Sequence, residues 1–117
     1  MKTVLIIEDH PDQAFIIQRY VVDCGFLTAT CTDPFLAIKL IKTGGIDIII
    51  TDLHMPIMSG IELIKYVRLI DDKIPIIVVT AYCSEQHQLN SINAGANHFV
   101  CKPIDRQTIK DLIVNMY

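Results

Sequence analysis

Ile46-Asp47-Ile48-Ile49-Ile50-Thr51-Asp52-Leu53-His54-Met55-Pro56 is a nearly continuous β-branched run that breaks off in an acid and a turn. β-Branched residues favour the pleated conformation, and a strand without apolar–polar alternation is buried on both faces, as in a parallel sheet covered by helices. The same character returns downstream in Ile74-Pro75-Ile76-Ile77-Val78-Val79 and upstream in the strand-like start of the chain. Five strands follow from this reading, over Thr3–Glu8, Phe26–Cys31, Ile46–Thr51, Pro75–Thr80 and His98–Cys101.

Helical segments fill the intervals, and the alternation is that of βαβ units. Pro11 suits a first helical position and Gly25 a stop, which sets the first helix at Pro11–Cys24. Asp33-Pro34 opens the second, whose face carries Leu36, Ala37, Leu40 and Ile41 and which ends at Gly44-Gly45. The third follows Ser59-Gly60 and turns Ile61, Ile64 and Val67 toward the sheet. Ser84 caps the fourth, which finishes near Ala94-Gly95, and Asp105 caps the fifth, where Ile104 and Ile109 have hydrophobic-staple spacing. A doubly wound α/β fold in one domain spanning 1–117 accounts for all 117 residues.

Composition narrows the function classes. Hydrophobic residues make up 51% of the chain, and mean hydropathy is +0.41, consistent with strands covered on both sides. No apolar run approaches the roughly 20 residues that cross a bilayer, and no signal-peptide pattern opens the chain, so a soluble, cytoplasmic protein is expected. A net charge of -3 leaves no basic patch for a nucleic-acid backbone. Cys24, Cys31, Cys83 and Cys101 form no CxxC pair and are expected to be buried small hydrophobes in a reducing compartment; His10, His54, His87 and His98 are equally scattered and suggest no transition-metal site.

The informative pattern is the position of polar residues. Glu8-Asp9, Asp52, Thr80 and Lys102 all stand at or just past the C-terminal ends of expected strands, the edge at which open α/β sheets build their sites. With strand order 2-1-3-4-5 the crevice lies between strands one and three, and Glu8, Asp9 and Asp52 converge there. Clustered carboxylates repel unless protonated or neutralised by a cation. Magnesium suits such oxygen ligands because it takes one or two carboxylates, keeps waters and shares phosphate oxygens. A carboxylate beside it can attack an activated phosphoryl group, with the Thr80 hydroxyl and the Lys102 ammonium binding the oxygens that gain charge.

Ile6-Ile7-Glu8-Asp9, Thr51-Asp52-Leu53-His54-Met55-Pro56 with Ser59-Gly60, Val79-Thr80-Ala81, Ala94-Gly95-Ala96 and Phe99-Val100-Cys101-Lys102-Pro103 together resemble a bacterial response-regulator receiver domain, of the stand-alone chemotaxis type. The resemblance covers the whole chain. It implies a flavodoxin-like (βα)5 fold in which Asp52 accepts phosphate from the phosphohistidine of a sensor histidine kinase or phosphotransfer protein. It also implies magnesium, or manganese, held by Asp9 directly, by Glu8 through water, by Asp52 and by the His54 main-chain carbonyl. Lys102 would pair with the phosphoryl group and precede a cis peptide bond to Pro103. Thr80 and Phe99 would reshape the face of helix 4, strand 5 and helix 5, where a downstream partner or a second copy would dock. Such a protein turns over only its own phosphoryl group and is not an enzyme on external substrates.

Departures from the family pattern are informative. Phe99 stands where tyrosine is commoner and has no hydroxyl to offer a partner. His54, Ala81 and Tyr82 would flank the phosphoryl group, and a phenol ring shields approaching water where an acid or amide would orient it. Gln86, Gln88, Asn90, Asn93 and Asn97 give the expected output face few charges. Three other readings on this fold are weaker, the last of them a phosphohydrolase that turns over small external substrates. A receiver without phosphorylation would lack one of the acids, the acceptor or the lysine, and a flavin- or nucleotide-binding protein would need a Gly-rich loop where Glu8-Asp9-His10-Pro11-Asp12 stands.

Overall fold

The computed structural model describes residues 1–116; Tyr117, the last residue of the expected domain span, lies outside the described residues. Five strands, β1 (Thr3–Ile7), β2 (Leu27–Cys31), β3 (Ile48–Thr51), β4 (Ile76–Thr80) and β5 (His98–Cys101), alternate with five helices, α1 (Pro11–Asp23), α2 (Pro34–Thr43), α3 (Gly60–Ile70), α4 (Glu85–Ala94) and α5 (Arg106–Asn115). The sheet is parallel, in the order β2-β1-β3-β4-β5. This is the doubly wound flavodoxin-like topology expected from the sequence, with its reversal of strand order between β1 and β3.

Strand residues alternate between two cores. Leu5, Ile7, Ile49, Ile76 and Val78 pack with Ala37, Leu63, Ile64 and Val67 of α2 and α3, whereas Val4, Ile6, Ile48, Ile50, Ile77 and Val79 pack with Ile17 and Val21 of α1 and Ile109 and Ile113 of α5. Both faces of the three central strands are therefore covered, which is why their sequences do not alternate in polarity. Each fully buried isoleucine contributes about 1.5–3 kcal/mol of transfer free energy. The edge strands β2 and β5 are only partly buried, and their sequences, Leu-Thr-Ala-Thr-Cys and His-Phe-Val-Cys, are correspondingly more mixed.

Element boundaries differ from the sequence reading by one or two residues, each for a local reason. Ile46 and Asp47 precede β3 because Asp47 ties back to the start of β1, accepting from the Thr3 N–H at 2.8 Å and donating its own N–H to the Thr3 carbonyl at 2.9 Å. Helix α1 ends at Asp23, with Cys24 as its C-cap and Gly25 following at φ +91°, a left-handed conformation. Asp33, Ser84 and Asp105 cap helices through side-chain oxygens, as expected, and Ser59 does the same for α3. Pro11 opens α1 at its first turn, while His10 makes no side-chain cap.

Two close approaches fix α3 and α4. A Cβ on Gly60 would run into the Asp52 carbonyl oxygen and lie 2.7 Å from Leu53 Cα, so the start of α3 rests directly on the chain leaving β3. At the far end of α3, Arg68 donates from Nε and Nη2 to the Gly95 carbonyl at 3.0 and 2.8 Å and from Nη2 to Asn97 Oδ1 at 3.0 Å. The C-terminus of α4 is thus clamped to α3 and to the start of β5.

The cysteines correct the sequence reading. Cys31 is buried and Cys24 half-buried, but Cys83 and Cys101 are exposed and paired as a disulfide, their Cα atoms 5.7 Å apart. Cys83 lies in the connection between β4 and α4, and Cys101 ends an edge strand, so neither has a second layer to bury it. Spacing in sequence carried no trace of this neighbourhood, which arises from the pairing of β4 with β5.

Candidate functional site

Four strands deliver their last residues to one edge of the sheet. The Asp52 N–H donates to the Ile7 carbonyl at 3.1 Å, and the Lys102 N–H to the Thr80 carbonyl at 2.8 Å, so the backbone stays in register one step beyond each strand. The Lys102–Pro103 peptide bond is cis, as expected from the sequence.

Asp52 is buried, with 6% of its surface exposed. Its Oδ1 accepts from the Leu53 N–H at 2.6 Å and the His54 N–H at 3.3 Å, and its Oδ2 accepts from Lys102 Nζ at 2.9 Å. Burial acts to raise the Asp52 carboxyl, but the Lys102 ammonium, the His54 N–H and the Thr80 hydroxyl outweigh it and hold the group below its ordinary range. Lys102 Nζ also donates to Glu8 Oε2 at 2.8 Å and to Gln13 Oε1. Desolvation alone would lower the ammonium, yet the hydrogen bonds and charges of Glu8 and Asp52 raise it, and it stays protonated across the neutral range.

The three carboxylates converge as expected. One ligand atom from each of Glu8, Asp9, Asp52 and also His10 lies within 4.8 Å of the others. Glu8 is almost fully buried and is held on both sides, by Lys102 on Oε2 and by the His10 N–H and Nδ1 on Oε1 at 3.2 and 3.1 Å. Asp9 is different. Its Oδ1 is buried with no hydrogen-bond partner; His10 Nδ1 stands 3.1 Å away, but its hydrogen bond goes to Glu8. The Glu8 hydrogen bond and the Asp9 charge together raise the His10 imidazole.

Buried anionic oxygen without a donor, beside two further carboxylates, fits a hard divalent cation. The donor set is oxygen-rich and carries the charge such an ion requires. Lys102 neutralises the Glu8–Asp52 side of the cluster, so the uncompensated negative charge lies on the Asp9 side.

Thr80 is fully buried, and its Oγ1 accepts from the Tyr82 N–H at 3.1 Å. Phe99 is half-buried and packs against the core beneath α3, opposite Val78 in the sheet register. The rings of His54 and Tyr82 lie 4.9 Å apart with a tilt of 34°, and His87 of α4 lies 5.7 Å from Tyr82. Ala81 is exposed beside them and lines, with Lys102 and Pro103, a cleft of about 500 Å³ that runs along α1. Glu8, Asp9, Asp52, His54, Thr80, Ala81, Tyr82 and Lys102 therefore stand at one edge, whereas Phe99 lies two strand positions inward of the Thr80–Cys101 pair.

A family model described as the response regulator receiver domain matches residues 4–114. The chain belongs to that family. This receiver domain is 32% identical to the chemotaxis protein CheY of Pseudomonas aeruginosa over 97% of its own length and 94% of the relative's. It is similar in structure to chemotaxis protein CheY4 of Vibrio cholerae, with a TM-score of 0.93 and 25% identity, covering 100% of this chain and 99% of that one. The fold is also shared with the receiver domain of a sensor histidine kinase from Pseudomonas aeruginosa, solved with magnesium in its active site cleft, at a TM-score of 0.89 and 22% identity over 97% and 95% of the two chains. Receiver domains of two-component systems are signal transducers that work with histidine kinases or phosphotransfer proteins, and phosphorylation on aspartate at an acidic magnesium pocket is their common chemistry.

Two receiver residues escaped the sequence reading. Gln13 accepts from Lys102, and His10 hydrogen-bonds Glu8 while standing beside Asp9. A polar residue in the first turn of a helix is unremarkable in sequence, and His10 is one of four histidines scattered along the chain. The signal available was proximity: both lie within one helical turn of the Glu8-Asp9 pair.

Proposed function

We propose that this domain, spanning residues 1–117, takes a phosphoryl group from the phosphohistidine of a sensor histidine kinase or phosphotransfer protein onto Asp52. Two main-chain N–H groups hold Asp52 Oδ1, whereas Oδ2 accepts from the flexible Lys102 side chain, so Oδ2 is the nucleophile. A lone pair of Oδ2 forms the new P–O bond, the P–N bond to the donor imidazole breaks, and the imidazole leaves with the bonding pair. Lys102 Nζ, already within reach of Asp52, follows the transferred group and pairs with its oxygens. Asp9, Asp52 and the His54 carbonyl would hold magnesium or manganese, with Glu8 acting through water, and such an ion would supply charge neutralisation of the phosphoryl oxygens. Thr80 then follows a phosphoryl oxygen, and Phe99 repacks, which changes the surface of α4, β5 and α5 for a downstream partner or a second copy.

His54, Ala81 and Tyr82 flank the phosphoryl group and limit the approach of water, so the phosphorylated state is long-lived. The domain acts in the cytoplasm, without direct contact to nucleic acid or membrane, and turns over no external substrate. One observation carries the reading: Lys102 bridges two buried carboxylates beside a third whose oxygen has no donor. Incubation with acetyl phosphate and magnesium, followed by intact-mass measurement, tests it. One phosphoryl group should add to the parent and none to Asp52→Asn; equal labelling of the two would refute the assignment.

A further inference from the structure

Cys83 and Cys101 join the two chain segments on which the switch depends. Cys83 follows Thr80 by three residues and Tyr82 by one; Cys101 faces Thr80 in the β4–β5 register and directly precedes Lys102. Both are exposed, so a soluble oxidant or reductant reaches them, whereas Cys31 is buried with its thiol pushed up by that burial. Their Cα separation of 5.7 Å is within the range a disulfide spans.

The consequence follows from Thr80. Its Oγ1 now accepts from the Tyr82 N–H, so a swing of the hydroxyl toward a phosphoryl group on Asp52 must either break that bond or carry Ala81 and Tyr82 along. Residues 81–84 are all exposed and belong to neither β4 nor α4, and this connection is the part that yields. A covalent link from Cys83 to the end of β5 removes that freedom. It leaves the acids, Asp52 and the Lys102 side chain in place.

We propose that Cys83 and Cys101 are a reversible redox modification site, whose disulfide pins the β4–α4 connection to β5 and uncouples phosphorylation of Asp52 from the α4–β5–α5 surface. The inference rests on the Asp52 reading above. A low-molecular-weight disulfide such as glutathione disulfide is a sufficient oxidant. One cysteine thiolate attacks it and expels a glutathione thiolate; the second then attacks the protein sulfur of the mixed disulfide and expels the other. The two cysteines lose two electrons and two protons, and two glutathione thiols are formed. A dithiol reverses the exchange.

The test compares the full chain after glutathione disulfide with the same chain after dithiothreitol, each then given acetyl phosphate and magnesium. Alkylation and peptide mass mapping should show Cys83 and Cys101 linked only in the oxidised sample. Both samples should gain phosphate on Asp52, but amide shift changes across residues 85–101 should be at least about fivefold smaller in the oxidised one, the lower end of ordinary allosteric coupling. Cys83→Ser and Cys101→Ser, each at an exposed site, should respond like reduced parent under both treatments. Free alkylation of both cysteines after oxidation, or equal shift changes in the two states with normal phosphorylation, would overturn the inference alone. Absence of phosphorylation in both states would overturn the Asp52 reading and this coupling with it.

Discussion

Asp9→Asn should make the metal-free domain more stable and remove most of its response to magnesium. Two unit charges about 4.8 Å apart at an effective dielectric of ~20 repel by about 3 kcal/mol. The ligand oxygens of Glu8, Asp9 and Asp52 lie within that distance of one another. Lys102 offsets the Glu8 and Asp52 charges through contacts at 2.8 and 2.9 Å, but no lysine or arginine contact reaches Asp9 among the described ion pairs. The Asp9 side chain is 21% exposed, and His10 approaches it, so water and the imidazole screen part of the repulsion. A net gain of about 1–2 kcal/mol remains once that screening is applied. Asparagine keeps the shape and places an amide where the unpartnered Oδ1 now sits. Urea denaturation of parent and variant, with and without magnesium, measures both effects. The parent should be the less stable protein without metal and should gain more from magnesium. A variant less stable than the parent without metal, or an equal magnesium gain in both, would refute the placement of uncompensated charge at Asp9.

Gly60→Ala should cost about 1–3 kcal/mol of folding stability, because the new methyl meets the Asp52 carbonyl and Leu53 Cα, both backbone, and an overpacked site of this kind relaxes poorly; denaturation midpoints check the value, and phosphorylation should slow as the Leu53 and His54 donors shift. The pH profile of stability should show two losses. Asp52 has a lowered folded pKa, so its contribution is present above the unfolded value near 3.8 and is lost as pH falls through the folded one; Lys102 has a raised folded pKa, so its contribution is present below 10.5 and is lost as pH rises through the folded one. Lys102→Met should flatten the alkaline arm and lower stability at neutral pH, as seen in urea midpoints across pH, since it leaves Glu8 and Asp52 facing each other. Phosphate loss from purified phosphoprotein should be slow, and faster in the Tyr82→Glu, His54→Asn double variant, because on the proposed reading the neighbouring His54 and Tyr82 rings limit the approach of water; equal decay would count against gating by these rings.

The fold was legible because its signals are local and repeated. Ile48-Ile49-Ile50 must be buried on both faces, and proline, glycine and capping residues mark the helix ends within a residue or two. The site was legible for a different reason. In a parallel sheet the end of each strand points to the same edge, so Glu8, Asp52, Thr80 and Lys102 are brought together by topology once the strands are recognised. What could not be read depends on side-chain reach between elements. Gln13 meets Lys102 across 89 positions of chain, and Cys83 meets Cys101 only because β4 and β5 pair. Asp47 was assigned to a strand, since nothing in its neighbours reveals that its carboxylate holds the Thr3 N–H.

Arg68 gives α4 a mechanical asymmetry once the Cys83–Cys101 disulfide is reduced. Its guanidinium grips the Gly95 carbonyl and Asn97, so one end of α4 is pinned, while in the reduced protein the other end begins at the exposed residues 81–84 next to Thr80. A rod held at one end does not slide; it swings. Ten residues at 1.5 Å each make a lever of about 15 Å, and a rotation of about 10° at the pin moves the free end by about 2.6 Å. Any rearrangement at Thr80 is therefore applied at the long arm, and the displaced surface is widest beside the phosphoryl site and narrows toward Gly95. A partner reading this domain feels the change mostly through Ser84, Glu85 and His87, and hardly at all through Ala94.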